Sequence, residues 1–282
     1  MPELPDLVYI ADRLRPALTG RTIIDGVTAN PTVLRVLVAG DFLELLRGDV
    51  FRAVDRHGPF LRFSLERHDL VMHLMLAGRL RVVPGTEKAI AARRFALKLD
   101  DGSRFEYGDE KNMGKVYLCE PGRFEAIPGY LTQGIDLVGE AFDRDAFLRL
   151  IAKERRQARV FLMDQTKLSA VGNAYADEIL FAAGIHPKTP CNRLSAEEKD
   201  KFFTSIRETL DWGIAEVTRA ARPTEEKVRD HMRVRNRAGS PCPVCGAIIR
   251  KAGVLGFDSF FCPSCQKPKT EQFIDWNKPS PR

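Results

Sequence analysis

The sequence predicts an α+β protein that runs in order through one helix, a series of short strands, a set of helices and a small cysteine module. Three observations predict it. Apolar residues alternate through the first ~120 positions, the apolar period becomes helical from Asp143, and four of the six cysteines fall late in the chain as two Cys-x-x-Cys pairs. A chain of 282 residues that is 44% hydrophobic can bury two domain cores.

Each element has its own signal. Pro5–Leu18 carries Leu7, Ile10, Leu14 and Leu18 at helical spacing, so a helix precedes the strands. Phe60–Leu65, Leu70–Leu76, Arg79–Val83, Arg94–Leu99 and Lys115–Leu118 read as strands. Turn signals at His57-Gly58-Pro59, Val83-Pro84-Gly85 and Asp100-Asp101-Gly102 separate them, which predicts a β-sandwich or a barrel. Pro121-Gly122, Pro128-Gly129 and Gly134–Gly139 punctuate a linker over 123–142. Helices follow at Asp143–Lys153, Ala158–Asp164, Asn173–Ala183 and Ser195–Arg219, the last opening with a Ser-x-x-Glu capping box. The expected parts are 1–122, the linker, 143–236, a cysteine module over 237–271 and a flexible tail over 272–282. Neither internal repeats nor low-complexity segments occur.

Composition narrows the function classes. The net charge is +6 with a pI near 9.0, and the excess gathers in Arg219, Arg222, Lys227, Arg229, Arg233, Arg235 and Arg237. Such a run suits a polyanion, and equally a long solvated face. With no apolar stretch near ~18 residues and no signal-like start, a membrane-spanning or signal-directed protein is not expected, and a cytoplasmic one is. Thiols then stay reduced, which favours metal binding over disulfides, with Cys119 and Cys191 read as ordinary thiols.

In PCPVCGAIIRKAGVLGFDSFFCPSC, two Cys-x-x-Cys pairs stand sixteen residues apart. Cys242, Cys245, Cys262 and Cys265 have the spacing of a zinc ribbon, where four thiolates close the coordination of one structural Zn2+ ion. Ala247-Ile248-Ile249 and Ser259-Phe260-Phe261 around a glycine-containing centre read as a β-hairpin. In LSAVGNAYADEILFAAGIHP, the turn Val171-Gly172-Asn173 puts Asn173 at a helix N-terminus, and Gly184 with Pro187 ends that helix. Asn173 is there either a phosphate contact or a simple cap. The opening MPELPD also has two readings. It is a loose terminus, or removal of Met1 exposes the Pro2 secondary amine as a nucleophile beside the acid Glu3.

Taken together, PELPD, HLMLAGRL, FLMDQTKLSAVGNAYADEILFAAGIHP and CPVC…FFCPSCQK resemble the formamidopyrimidine-DNA glycosylase / endonuclease VIII family over almost the whole chain. The resemblance implies an N-terminal helix plus β-sandwich, a helix–two-turn–helix domain and a zinc-finger hairpin. It also implies a monomeric, nucleoid-associated base-excision-repair enzyme acting on damaged DNA as DNA glycosylase and AP lyase. Pro2 would attack C1′ of an extruded nucleoside and leave an imine that opens the way to β,δ-elimination, with Glu3 as the acid. Asn173 would contact phosphate, Glu178 matches an acid of the same motif, and Leu76, Lys111 and Met113 would fill the gap left by the extruded nucleotide.

The departures from the family pattern are cationic. Pro59 stands where the family has a lysine, Phe257 where it has a phosphate-clamping arginine, and Asn112 and Met113 replace part of a Pro-Arg-Arg-Phe run. Each charge-assisted contact is worth ~1.5–3 kcal/mol. Arg56, His57, Arg250 and Lys251 are the nearby candidates to compensate, and Phe257 either stacks on a base or packs the ribbon against Phe260 or Phe261. The charged segment PTEEKVRDHM leaves no room for a long glycine-containing loop over an oxidised purine. His73 and His186 read as structural, and His231 as facing phosphate. The alternatives are a damage-binding protein of the same fold with weakened catalysis, and a zinc ribbon serving protein partners.

Overall fold

In the computed structural model, which describes residues 1–269, the chain divides into two units. The first holds Met1–Ala141, Asp164–Gly172 and Leu210–His231, and the second holds Phe142–Met163, Asn173–Thr209 and the chain from Met232. The tail expected over 272–282 lies outside the described residues.

The first unit opens with α1 (Leu4–Leu18), whose Leu4, Leu7, Ile10, Leu14 and Leu18 are all buried. Pro5 is tolerated because the first turn of a helix has no N–H bond to lose. Then come β1 (Ile23–Thr28), β2 (Leu34–Val36), α2 (Phe42–Leu46), β3 (Phe51–His57), β4 (Phe60–Leu65), β5 (Asp69–His73), β6 (Gly78–Pro84), β7 (Arg93–Leu99), β8 (Ser103–Asp109) and β9 (Lys115–Cys119). They form a four-stranded sheet, β1-β7-β8-β6, and a five-stranded sheet, β2-β9-β5-β4-β3, antiparallel except for β2 against β9. Phe51 and Phe63 of one sheet meet Phe105 of the other edge-on or tilted, with ring centroids 5.1–6.0 Å apart. Two separate sheets facing across an aromatic core make this a sandwich, so the barrel alternative falls away.

Strands β1, β3 and β8 carry no clear alternation of their own and escape sequence reading; β8 is buried from Phe105 to Asp109. The strand expected over Leu70–Leu76 stops at His73, where the Met75 N–H donates to His73 Nδ1 (3.1 Å) and Met75 takes φ 48°. Leu76 therefore lies in a turn and is 47% exposed. The 123–142 segment has neither helix nor strand, yet Ile127, Tyr130, Leu137 and Phe142 are buried.

In the second unit, α3 (Arg144–Ala152), α4 (Ala158–Leu162) and α5 (Asn173–Ala183) surround Phe142, Phe147, Phe161 and Phe202. Helix α6 (Ala196–Ala220) begins there behind the expected capping box, with the Glu198 N–H donating to Ser195 Oγ and the Ser195 N–H to Glu198 Oε2. A hairpin of β10 (Arg250–Val254) and β11 (Phe257–Phe261) follows, its first strand starting beyond the expected Ala247-Ile248-Ile249. Phe181 of α5 and Val234 share a core with Ile249, Phe260 and the cysteines.

Candidate active site and metal centre

The chain start is folded, not loose. Pro2 and Glu3 are buried, and Glu3 is the residue that caps α1. Its carboxylate accepts the Asp6 N–H, while the Glu3 N–H donates back to Asp6 Oδ2 (2.8 Å), a carboxylate version of the capping box. Two distant segments complete this corner. Gly172 donates its N–H to Glu3 Oε2 (3.1 Å), and Arg229 clasps Asp6 with two bonds of 2.8 and 2.6 Å. The glycine is required: a Cβ at position 172 would lie 2.6 Å from Glu3 Cδ.

Pro2 lines a cavity of about 420 Å³ together with Leu76, Arg79, Lys111 and Lys227. Three of the expected site residues, Pro2, Leu76 and Lys111, thus share one space. Lys111 is carried on a loop fixed by Asp109, whose carboxylate accepts the Lys111 and Gly114 N–H groups at 3.0 and 2.7 Å. Met113, on the same loop, is 37% exposed and does not line the cavity. The amine of Met1 is held down to about 6, first by burial and then by the positive charge and hydrogen bond of Lys227.

In the second unit, Asn173 Oδ1 accepts from Arg159 (2.6 Å), and Arg159 also meets the buried Asp177 (3.3 Å). Ser259 and Arg235 complete the ring around Asp177 at 2.7 and 2.8 Å, tying α4 and α5 to β11. Burial raises the carboxyls of Asp177 and Glu178 despite these partners. Glu178 faces inward and accepts the backbone N–H groups of Arg233, Val234 and Arg235 at 2.9–3.0 Å, so its carboxylate organises that turn.

The Sγ atoms of Cys242, Cys245, Cys262 and Cys265 all lie within 4.8 Å of one another, with three pairs at 3.5–3.9 Å. That is far beyond a disulfide and matches the ~3.8 Å edge of a thiolate tetrahedron with bonds of ~2.3 Å. Hydrogen bonding from Ala247 and the neighbouring thiols lowers the Cys245 thiol to about 7, while burial raises the thiols of Cys262 and Cys265. The four cysteines form a structural metal site.

The candidates for compensating cations do not supply one freely. Pro59 is buried in the tight β3–β4 turn behind Gly58 (φ 53°), and Arg56 pairs with Asp136. His57 Nε2 is bonded to the Tyr130 carbonyl (2.8 Å), and Lys251 pairs with Asp258 (3.2 Å). Much of the basic run is likewise committed, with Arg219 to Glu216, Arg222 to Asp230, Arg229 to Asp6 and Arg235 to Asp177. His231 stands edge-on to Trp212, with ring centroids 5.0 Å apart, and is half-buried. His73 and His186 are both lowered to about 4 by burial, as structural histidines should be. Phe257 does not pack the ribbon: it is 53% exposed, while Phe260 and Phe261 are buried.

Three family models match in sequence order. They are the formamidopyrimidine-DNA glycosylase N-terminal domain over residues 1–116, the formamidopyrimidine-DNA glycosylase H2TH domain over 134–222, and a zinc finger found in FPG and IleRS over 239–268. The formamidopyrimidine-DNA glycosylase of Alkalilimnicola ehrlichii is 34% identical over 95% of this chain and 100% of its own length. The chain belongs to the formamidopyrimidine-DNA glycosylase family. As a member it is an enzyme of the DNA-glycosylase class, with a helix–two-turn–helix domain and a zinc-finger hairpin. The Laribacter hongkongensis glycosylase is 32% identical over 95% of this chain and 100% of its own. Among solved structures, the MutM (Fpg) protein of Thermus thermophilus superposes with a TM-score of 0.82 at 30% identity, covering 95% of this chain and 100% of that one. A Lactococcus lactis Fpg in complex with DNA containing an abasic site gives 0.83 at 25% identity, covering 94% and 99%. No helix among the described residues is long and apolar enough to cross a membrane.

Sequence reading singled out Pro2, Glu3 and the cysteines as candidates and did not anticipate Asp6, Gly172, Lys227 and Arg229 beside the first two. The Glu3-x-x-Asp6 spacing was a usable capping signal. The partners from positions 172, 227 and 229 meet it only through the fold.

Proposed function

We propose that the protein excises damaged, chiefly oxidised, bases from DNA and then cleaves the strand as an AP lyase, using Pro2 as nucleophile and Glu3 as acid. The observation that carries this is the fixed chain start: a buried Pro2 on a cavity, with Glu3 held by the Gly172 N–H. Removal of Met1 turns the Pro2 amide nitrogen into a secondary amine. Its lone pair attacks C1′, the C1′–N bond breaks and the base departs with the bonding electrons and a proton. Glu3 delivers a proton to the ring oxygen, the sugar opens and an iminium links Pro2 to C1′. Loss of a C2′ proton then expels the 3′-phosphate, and a second elimination expels the 5′-phosphate.

A free α-amino group has an ordinary pKa of ~7.7–8.0, so a fraction of the Pro2 amine carries a lone pair near neutral pH. Leu76 and Met113 are exposed apolar side chains suited to fill the gap left by the extruded nucleotide, and Lys111, which lines the cavity with Leu76, reaches into the same gap. Asn173, its Oδ1 already bonded to Arg159, offers its NH2 group to a phosphate oxygen, and Glu178 holds the 233–235 turn beneath it. The four thiolates suit one Zn2+ ion, which would hold the ribbon closed.

A second reading is favoured by the buried Pro59 and exposed Phe257. With those two cations absent, the protein binds damage and turns over weakly. Borohydride trapping on abasic and oxidised DNA separates the two readings. A covalent adduct supports the lyase, whereas salt-sensitive binding that survives Pro2→Gly, with no adduct and no cleavage, supports the second.

A further inference from the structure

The tip of the β10–β11 hairpin carries an aromatic ring that the fold does not use. Leu255 (φ 47°) and Gly256 (φ 79°) form the two-residue turn, and Val254 pairs with Phe257 across it. Left-handed backbone is unfavourable for a side chain as large as Leu255, yet that side chain stays exposed beside the exposed Phe257. Phe260 and Phe261 of the same strand are buried. A Cβ added at Gly253 or Gly256 would meet open space, so this end of the hairpin is uncovered. The ring is nonetheless fixed in place. The Asp258 carbonyl accepts from Arg159 Nη2 (3.2 Å) and Arg235 Nη1 (3.0 Å). The same two nitrogens donate to Asn173, at Oδ1 (2.6 Å) and at its carbonyl (3.5 Å). Side chains alternate along a strand, so Phe257 shares the face of Ser259, whose hydroxyl donates to Asp177, one turn beyond Asn173 on α5. We propose that Phe257 is a base-stacking residue: its ring takes the face of an unpaired DNA base on the strand whose phosphate meets Asn173, so the protein favours single-stranded or opened DNA over closed duplex.

This rests on the DNA-repair reading of the protein and on Asn173 as its phosphate contact. An arginine at position 257 would grip a phosphate through charge, whereas a phenyl ring offers a strand only its π-face. Closed duplex shows base edges in its grooves and stacks its base faces on one another, so a ring finds a free face only where pairing has opened. The charges around the tip suit a nucleic-acid strand. Arg250 and Lys251 are exposed on β10, against the single acid Asp258, which pairs with Lys251 (3.2 Å). A second copy of the chain is the competing occupant. Two apolar side chains fall far short of the roughly 20–30 residues a side that a stable protein contact takes.

The test uses metal-loaded full-length protein with Phe257→Leu, which keeps an apolar side chain, and Phe257→Trp, which keeps a stacking face. Fluorescence anisotropy follows binding to three probes: oligothymidylate, the same strand fully paired in duplex, and a strand of deoxyribose phosphates without bases. Phe257→Leu weakens oligothymidylate binding roughly 5- to 100-fold and changes the other two by less than about twofold. Phe257→Trp holds all three near the wild type, and oligothymidylate, unlike the base-free strand, quenches its added indole. Equal losses on all three probes, an unchanged oligothymidylate affinity in Phe257→Leu, or a loss that Phe257→Trp does not restore overturns the proposal. So does self-association of the free protein that Phe257→Leu abolishes, since the tip would then join two copies. Borohydride trapping on abasic DNA separates this inference from the reading beneath it. Trapping together with an unchanged oligothymidylate affinity in Phe257→Leu refutes the stacking and leaves the lyase. Base-dependent binding through Phe257 with no trapping refutes the lyase and leaves the stacking.

Discussion

Gly172→Ala is the sharpest probe of how the acid is held. A Cβ there would lie 2.6 Å from Glu3 Cδ and 2.7 Å from both Cγ and Oε1. Ordinary carbon contacts are ~3.5–4.0 Å, so Glu3 must retreat by about 1 Å or the turn must open. Glu3 is buried and tied to the Gly172 and Asp6 N–H groups, which leaves it little freedom. Overpacking of this kind costs about 1–3 kcal/mol, and a ~1 Å misplacement of a catalytic group lowers the rate about 100-fold. A double-mutant cycle isolates the contact. In urea unfolding, Gly172→Ala destabilises the wild type by that amount, but in a Glu3→Ala background the cost falls to near zero or reverses by ~0.4–1 kcal/mol, because alanine restricts the unfolded chain. Equal costs in the two backgrounds would refute the claim that glycine is present to admit Glu3.

Other expectations follow from individual sites. Chelation of the metal, or Cys262→Ser, unfolds the β10–β11 hairpin and abolishes DNA binding; circular dichroism and gel shift report both, and a ribbon unchanged after metal loss would argue against four-thiolate closure. His73 sits at about 4 in the fold against ~6.5 unfolded, so the unfolded chain binds the extra proton and stability falls as pH drops from ~6.5 toward ~4. His73→Asn, which keeps an acceptor for the Met75 N–H, makes that fall shallower in pH-dependent unfolding, though not flat, since His186 behaves alike. Phe257→Arg at an exposed position leaves stability within ~0.5 kcal/mol and steepens the salt dependence of DNA binding by about one phosphate. An unchanged salt slope would mean that position 257 does not meet DNA.

The elements legible in the sequence were those with one clear period or a strong cap. Helix α5 matches the expected Asn173–Ala183, and α6 starts behind Ser195-x-x-Glu198 as a capping box dictates. Phe60–Leu65 is a strand because apolar residues alternate between a tight turn and a bend. Strand β8 was not legible, since Glu106 sits buried among Arg81, Arg93 and Arg104 and breaks the pattern by pairing. The basic run misled in the same way. Arg229 and Arg235 looked available because nothing local revealed that Asp6 and Asp177 answer them from elsewhere in the chain. At the site, residue types at the chain start were readable, but the 420 Å³ cavity joining Pro2, Leu76 and Lys111 is a product of tertiary folding.

The most direct measurement is the site of covalent attachment. Protein whose intact mass shows loss of Met1 is incubated with abasic duplex DNA and borohydride, then digested and sequenced by mass spectrometry. The expected result is a reduced adduct on the Pro2 nitrogen that disappears in Pro2→Gly protein blocked at its N-terminus. An adduct on a lysine, or none from protein with a free Pro2 amine, would contradict it.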